Sequence, residues 1–288
     1  MYRGFVRRKS GFRPAARVAD NARRVFESLR VFPVRIVSYN ILDGGIGRAD
    51  PVAEVLQAQN ADVIALIEAD DSDVVTRIAN RLGMDYVTAP GHGHSVALLS
   101  RLTITQSINH VILTPGPSRC LLEATVQASE GLTLPVFAVH FSAGAYEADE
   151  VRREAELATL LSVTEHLRSA QAPHVLAGDF NANSPHQRID TVHAKPSTRK
   201  AFEANGRVLP RRVVAKLVAA GYVDTLHTFR RDTAHRQATF TTHEPQQRVD
   251  YVFAHGLPGD KIRDAWVEHD RLAKYASDHF PVGVDLDV

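Results

Sequence analysis

Several apolar runs in this chain stop at a side chain able to hold a cation or a phosphate. The run at 34–39 ends at Asn40, 63–67 at Glu68, 136–139 at His140, and 175–177 leads into Asp179 and Asn181 within LAGDFNA. Carboxylate and amide oxygens are what a hard dication takes, and imidazole and amide groups bind phosphate oxygens, so the set suits metal-assisted chemistry on a phosphate. Each residue also has a structural reading. Asn40 can be a turn residue, Glu68 the first-turn acid of a helix, His140 a satisfied core histidine, and Gly178-Asp179 a strand exit. Repetition of the same placement at successive strand ends outweighs these separate readings.

Two later stretches extend the set. In QRVDYVFAHG, Asp250 sits among apolar residues, where a carboxylate is costly unless a partner holds it. In YASDHFPVGVDL, Asp278 and His279 precede the last apolar run. A carboxylate that orients an imidazole and raises its proton affinity is a natural pairing for Asp250 and His279; a structural ion pair or a turn is the alternative.

The elements that must position these residues follow from periodicity. Short apolar runs predict strands at 34–39, 62–67, 95–99, 121–127, 134–139, 174–177, 249–253 and 282–286. Helical spacing predicts helices from Asp50-Pro51, over 71–82, over 147–170, and from Pro210 to a stop at Gly221. The stretch 99–134 holds strands without an intervening helix, so a mixed two-sheet α/β sandwich suits the pattern better than a parallel doubly wound sheet. Strand ends are the usual place for a rigid site in such architectures.

Composition sets the bounds. With 288 residues and 44% hydrophobic content, the chain can bury one large core. A single cysteine, Cys120, excludes an internal disulfide and a cysteine-built zinc site. No apolar run reaches the roughly 20 residues of a membrane span and no secretory signal is evident, so a soluble, cytoplasmic protein is expected. The net charge of +1 is uneven: ten basic residues face two acidic ones through Arg35, a net +8 that leaves the remainder at −7. Residues 1–33 are thus expected to be a basic extension, either a tail or docking helix or an arm for DNA or an anionic surface. Residues 34–288 are expected to form one catalytic domain.

In order along the chain, SYNILDGG, VIALIEAD, FAVHFSAG, LAGDFNANSP, QRVDYVFAHG and ASDHFPV resemble the successive signatures of the endonuclease/exonuclease/phosphatase superfamily, with its deoxyribonuclease-I-like fold. The resemblance implies a four-layer α/β sandwich, two mixed β-sheets packed face to face with helices outside, and hydrolysis of a phosphate ester dependent on Mg²⁺ or Mn²⁺, one or two ions. It assigns Glu68 as principal metal ligand, Asn40 as its neighbour on metal or phosphate, and Asp278 as assisting the metal. It gives Asp179 and Asn181 the attacking water and a non-bridging phosphate oxygen. His279, paired with Asp250, becomes general base or phosphate-binding cation, and His140 touches the phosphate or protonates the leaving oxygen.

Departures from subfamilies narrow the substrate. Abasic-site repair enzymes carry a Tyr-containing motif where His140 stands, and the Trp- and Cys-rich signature of inositol-polyphosphate phosphatases is missing, the one Trp being Trp266. The pattern is most similar to small bacterial members of unassigned substrate. A nuclease acting on DNA is the leading expectation. The alternative is a phosphodiesterase or phosphatase on a small-molecule or lipid phosphate ester, and a non-catalytic binding protein on the same scaffold is a third reading. His92 and His94 in GHGH have zinc-compatible spacing, but no third ligand is evident and a loop is expected. The polar stretch 184–210 is expected beside the site, with Arg188 and, from TFTTHEP, His243 as candidate substrate contacts.

Overall fold

A computed structural model of the chain describes residues 33–288 apart from Pro115. The basic leader before residue 33, with its expected polyanion contact, lies outside the described residues. Twelve strands are present among the described residues: β1 (Pro33–Asn40), β2 (Val63–Ile67), β3 (Asp85–Pro90), β4 (Ser95–Ser100), β5 (Ile104–Asn109), β6 (Cys120–Ser129), β7 (Leu132–His140), β8 (His174–Asp179), β9 (Val223–Asp224), β10 (Asp250–His255), β11 (Ile262–Val267) and β12 (Val282–Asp287). They form two six-stranded sheets, in the orders β11-β12-β1-β2-β4-β3 and β5-β6-β7-β8-β10-β9. Both are mixed: β1 runs parallel to β2 and β7 to β8, whereas the other pairings are antiparallel.

Alternate residues of the central strands meet between the sheets. Ile36, Ala65 and Val284 of one sheet share a core with Val136, Ala177 and Val252 of the other. The opposite faces are covered by helices. Ala49–Gln59 and Ser72–Leu82 pack on Val37, Tyr39, Ile64 and Leu66, and Glu147–Val163 and Arg212–Ala219 pack on Phe137, Val139, Leu176 and Phe253. The result is the expected four-layer sandwich. Local chemistry agrees: Asp71 Oδ1 caps Ser72–Leu82 by accepting from the N–H groups of Asp73 and Val74, and Gly83 closes it at φ 64°.

Several elements differ from the sequence expectation. The 147–170 helix stops at Val163 and a second short helix, Glu165–Ser169, follows. The helix expected from Pro210 begins at Arg212, a one-turn helix (His110–Leu113) interrupts 99–134, and the polar stretch 184–210 contains the helix Pro196–Ala204. β3, β5, β9 and β11 were not expected; all four are sheet edges. Among the described residues, no helix is long and apolar enough to cross a membrane.

β8, which carries the acid of LAGDFNA, opens at His174, fully buried. Its Nδ1 lies 2.8 Å from the Ala172 carbonyl and its Nε2 2.9 Å from the Tyr222 hydroxyl. Burial lowers its pKa to about 4 despite the opposing Ala172 carbonyl, and the nearby His255 adds to the lowering. The imidazole is therefore neutral when folded, whereas in the unfolded chain it titrates near the ordinary value of about 6.5. Its contribution is complete above that value and is lost as pH falls towards 4, because the unfolded state then binds the extra proton. Urea unfolding at pH 7 and pH 4.5 should show the natural protein losing about 2–3 kcal/mol more than His174→Phe over that interval. Equal losses would remove His174 as the cause.

Candidate active site

Strand periodicity carries the inter-sheet core directly into a polar layer. Val34 and Ile36 of β1 face the core, and two steps further the same face presents Ser38 and Asn40. Leu134, Val136 and Ala138 of β7 lead likewise to His140, Val175 and Ala177 of β8 to Asp179, and Val252 and Ala254 of β10 back to Asp250. His140 stands opposite Asp179, and Asp179 opposite Asp250, across β7, β8 and β10. Glu68 follows the last residue of β2. Gly178 is explained by the same strands, since a Cβ there would lie 1.9 Å from the Val139 carbonyl oxygen of β7. Only glycine lets β8 come this close, and Asp179 is placed by it.

Asn40 ties the layer together. Its Oδ1 accepts from the Leu42 N–H, so its Nδ2 must be the group that donates to Glu68 Oε1 at 3.2 Å and Asp179 Oδ2 at 3.1 Å. Asn40 thus stands here as a bracket between the two carboxylates. The Asp43 N–H donates to Glu68 Oε2 at 2.8 Å, and the Asn181 N–H to Asp179 Oδ1 at 2.8 Å. His279 Nδ1 donates to Asp250 Oδ2 at 2.8 Å, while its Nε2 lies 3.9 Å from both Asp179 Oδ2 and Asp278 Oδ1. His140 Nε2 lies 3.9 Å from Glu68 Oε1 and 3.8 Å from Asp179 Oδ2. Arg48 donates to the carbonyls of Ile41, Leu42 and Ala276, and the Ser277 hydroxyl donates to the Asn40 carbonyl, which ties the loop of Asn40 to that of His279.

Burial and like charge divide the titrating groups. The Asp179 carboxyl is pushed up to about 7, first by burial and then by the Asp250 charge, with His279 acting against both. Burial works to lower His279, but the Asp250 carboxylate, helped by Asp179 and Asp278, holds the imidazole charged, at about 10. Burial keeps His140 well below the ordinary histidine value, with Arg119, His94 and His279 adding positive charge nearby, so it is neutral. Three carboxyl groups therefore face one imidazolium, and among the described residues Asp250 Oδ1 is buried without a hydrogen-bond partner. An excess of oxygen donors and negative charge fits a hard dication, and Glu68, whose carboxylate stands with ligand atoms of Asp43 and His94 all within 4.8 Å of one another, would hold it. The backbone is strained at the same rim: Leu42, Asp43, Glu68 and Asn181 have φ of 57°, 48°, 57° and 48°.

The structure thus gathers Asn40, Glu68, His140, Asp179, Asn181, Asp250 and His279. Asp278 lies at their edge, half-buried, and its Oδ1 makes no hydrogen bond among the described residues. His243 and Arg188 are exposed and make no hydrogen bond or ion pair with the cluster among the described residues. Arg188 is held by its backbone N–H on the His235 carbonyl. Asp43 and Asp70, which the sequence did not single out, join the site, as does His94, which was expected only in a loop. Asp43, Glu68 and His94 offer ligand atoms within 4.8 Å of one another, and Asp70 Oδ2 lies 2.8 Å from His94 Nδ1. His92 of GHGH does not join them: its Nδ1 lies 2.8 Å from the Ser118 carbonyl, so the zinc-compatible His92–His94 pair is not formed and, of the two, His94 alone meets Glu68.

Two clefts flank the cluster. One, of about 490 Å³, is lined by Ser118, Arg119, Ser142, Arg152 and Glu156. The other, of about 320 Å³, is lined by Tyr146, Asn181, Lys195, Phe240 and Gln247. The Phe240 ring lies 4.7 Å from that of His279, and Lys195 Nζ lies 4.9 Å from the Phe240 centroid.

The sequence model of the Endonuclease/Exonuclease/phosphatase family matches residues 37–279. No curated protein matches the chain. Among solved structures, the chain is similar to an AP endonuclease from Archaeoglobus fulgidus, with TM-score 0.67 and 19% identity over 88% of this chain and 100% of that one. It is similar to the 3'-5' exonuclease NExo from Neisseria meningitidis, with TM-score 0.64 and 21% identity over 88% and 100%. A structure of the 3' phosphatase NExo from Neisseria, bound to product DNA hairpin, gives 0.60 and 19% over the same shares. These likenesses show the fold.

Asp250→Asn removes the charge that opposes burial at His279. In metal-free protein followed by imidazole NMR, the natural His279 should stay protonated to about pH 10, and in Asp250→Asn its midpoint should fall by several units. An unchanged midpoint would show that Asp250 does not hold the proton.

Proposed function

From the membership of this chain in the Endonuclease/Exonuclease/phosphatase family, we propose that it is a phosphodiesterase acting on DNA, dependent on Mg²⁺ or Mn²⁺. The observation that carries the reading is the joining of the buried Asp179, the Asp250–His279 pair and Glu68 in one polar layer.

In-line displacement at phosphorus places the entering and leaving oxygens on opposite faces. Asp179 Oδ2 and His279 Nε2, 3.9 Å apart, therefore serve one face. Asp179, with a carboxyl that titrates near neutrality, takes the proton of the attacking water as the bond from phosphorus to the leaving oxygen breaks and that oxygen takes a proton from solvent. His279, charged, donates to a non-bridging phosphate oxygen, and Asp250 holds its ring in place. Asn40 keeps Glu68 and Asp179 in register, and Asn181 fixes Asp179 through its backbone N–H. Glu68 would hold the dication, which when bound would supply neutralisation of the charge that builds on phosphate. A cluster of buried carboxylates is costly, which speaks against a scaffold that only binds.

The clefts favour an extended polyanion. Arg119 and Arg152 lie to one side and Lys195 to the other, and Tyr146 and Phe240 offer ring faces on which a base can stack. The named activities of the AP endonuclease and of NExo with its DNA hairpin point to the same substrate class.

The test is a panel of plasmid DNA, single-stranded DNA, RNA, an aryl phosphodiester and sphingomyelin, each with Mg²⁺, Mn²⁺ or chelator. DNA should be cleaved with either ion and spared by chelator. Asp179→Asn should lower the rate about 10²–10⁴-fold with an unfolding midpoint no lower than that of the natural protein. Turnover of the small or lipid esters alone would move the substrate away from DNA, and full activity in Asp179→Asn would remove it from the chemistry. Lys195→Ala should weaken DNA binding on all sequences and reduce the salt slope by about one. An unchanged slope would take the Lys195 cleft out of the substrate path.

A further inference from the structure

GHGH, at 91–94, is pinned rather than loose. The Gly91 N–H donates to the His94 carbonyl at 2.9 Å and the His92 N–H to the Arg119 carbonyl at 2.8 Å. A Cβ on Gly91 would lie 2.1 Å from that same Arg119 carbonyl oxygen, so the chain passes where only glycine fits. His94 is also held by its side chain. Asp70 Oδ1 accepts from the Ser95 N–H at 2.6 Å, and its Oδ2 lies 2.8 Å from His94 Nδ1. The same Nδ1 lies 3.9 Å from Glu68 Oε2.

Glu68 thus has an imidazole on each side: His94 at 3.9 Å from Oε2 and His140 at 3.9 Å from Oε1. The two rings lie 5.4 Å apart. His140 is 1% exposed, and among the described residues neither of its ring nitrogens makes a hydrogen bond. Two ligands of one ion, each about 2.1 Å from it, stand about 3–4 Å from one another. The nitrogens around Glu68 match that spacing. A cation replacing the proton between His94 and Asp70 would meet carboxylates from Asp43, Glu68 and Asp70.

We propose that His94 is a nitrogen ligand of the cation held by Glu68, so that this centre takes a divalent transition metal in preference to Mg²⁺. The inference rests on the metal-dependent reading above and deepens it. Mg²⁺ prefers an all-oxygen shell with several waters, whereas imidazole suits first-row transition ions. One imidazole is enough to shift the choice.

The probes are Mn²⁺ and Mg²⁺ themselves, titrated by calorimetry into the metal-free full chain, with pulsed EPR of the Mn²⁺-loaded protein as the direct readout. The natural protein should bind Mn²⁺ at least about tenfold more tightly than Mg²⁺ and show ¹⁴N coupling from a ligating imidazole. His94→Asn should lose about 10–100-fold in Mn²⁺ affinity, keep Mg²⁺ affinity within about twofold, and weaken the ¹⁴N signal. His94→Gln, which keeps a donor for Asp70, should do the same, and circular dichroism checks that both fold. Mn²⁺ binding that Glu68→Gln abolishes, but that shows no ¹⁴N coupling or is unaffected by either His94 variant, would overturn the role of His94 and leave the metal site standing. If Glu68→Gln changes neither ion's binding, the reading on which this one rests falls as well.

Discussion

Negative charge held away from water is what this structure has to accommodate. Asp179 and Asp250 are almost fully buried and aligned on neighbouring strands, with Glu68 joined to Asp179 through one amide. At an effective dielectric near 20, like charges about 4 Å apart repel by about 4 kcal/mol, a large share of the stability of an ordinary domain. The compensation is local: the Asn40 amide, the backbone N–H groups of Asp43 and Asn181, and the His279 imidazolium. These do not neutralise the set, and the remaining charge makes it a receptor for a dication and then for the phosphate the dication attracts. Strained backbone at Asp43 and Asn181 belongs to the same account, since their N–H groups donate to the carboxylates of Glu68 and Asp179.

The fold explains how the charge stays dry. Beneath the polar layer the inner faces carry small and branched residues, among them Ala65, Ala138, Ala177, Val136 and Val252, which let the two sheets approach and exclude water. Both central strand pairs are parallel, so their ends emerge side by side at one edge of the sandwich. The outer helices contribute no member of the cluster; they cover the outer faces so that the sheets can be apolar on both sides.

Legibility in the sequence followed burial. β1, β2, β7, β8 and β10 are apolar because they are buried on both faces, and their polar terminal residues stood out against that background. β3, β5 and β11 did not stand out, being edge strands with exposed, polar positions and little periodicity to detect. The pairing of Asp250 with His279 was legible because a buried acid demands a partner. The place of His94 was not, because it depends on register. β2 pairs antiparallel with β4, Ile67 opposite Val96, and the Ala69 N–H donates to the Ser95 carbonyl. Glu68 just beyond one strand therefore meets His94 just before the other. The strands themselves were expected; their direction and register are tertiary facts. Asp43 escaped for a similar reason, its contact with Glu68 resting on a left-handed turn at DGG.

The site is a property of the contact between the sheets. Asn40 belongs to β1 of the first sheet and Glu68 follows its neighbour β2, whereas His140, Asp179 and Asp250 belong to β7, β8 and β10 of the second. His279 enters from the loop before β12, in the first sheet, yet bonds to Asp250 in the second. Two hydrogen bonds, from Asn40 to Asp179 and from His279 to Asp250, therefore cross from sheet to sheet within the site. Neither sheet holds enough of the set to bind a cation and activate water alone. The spacing of the apolar core below, fixed by close packing, sets the distance between metal-holding and proton-handling groups, which ties the chemistry to residues that never touch a substrate.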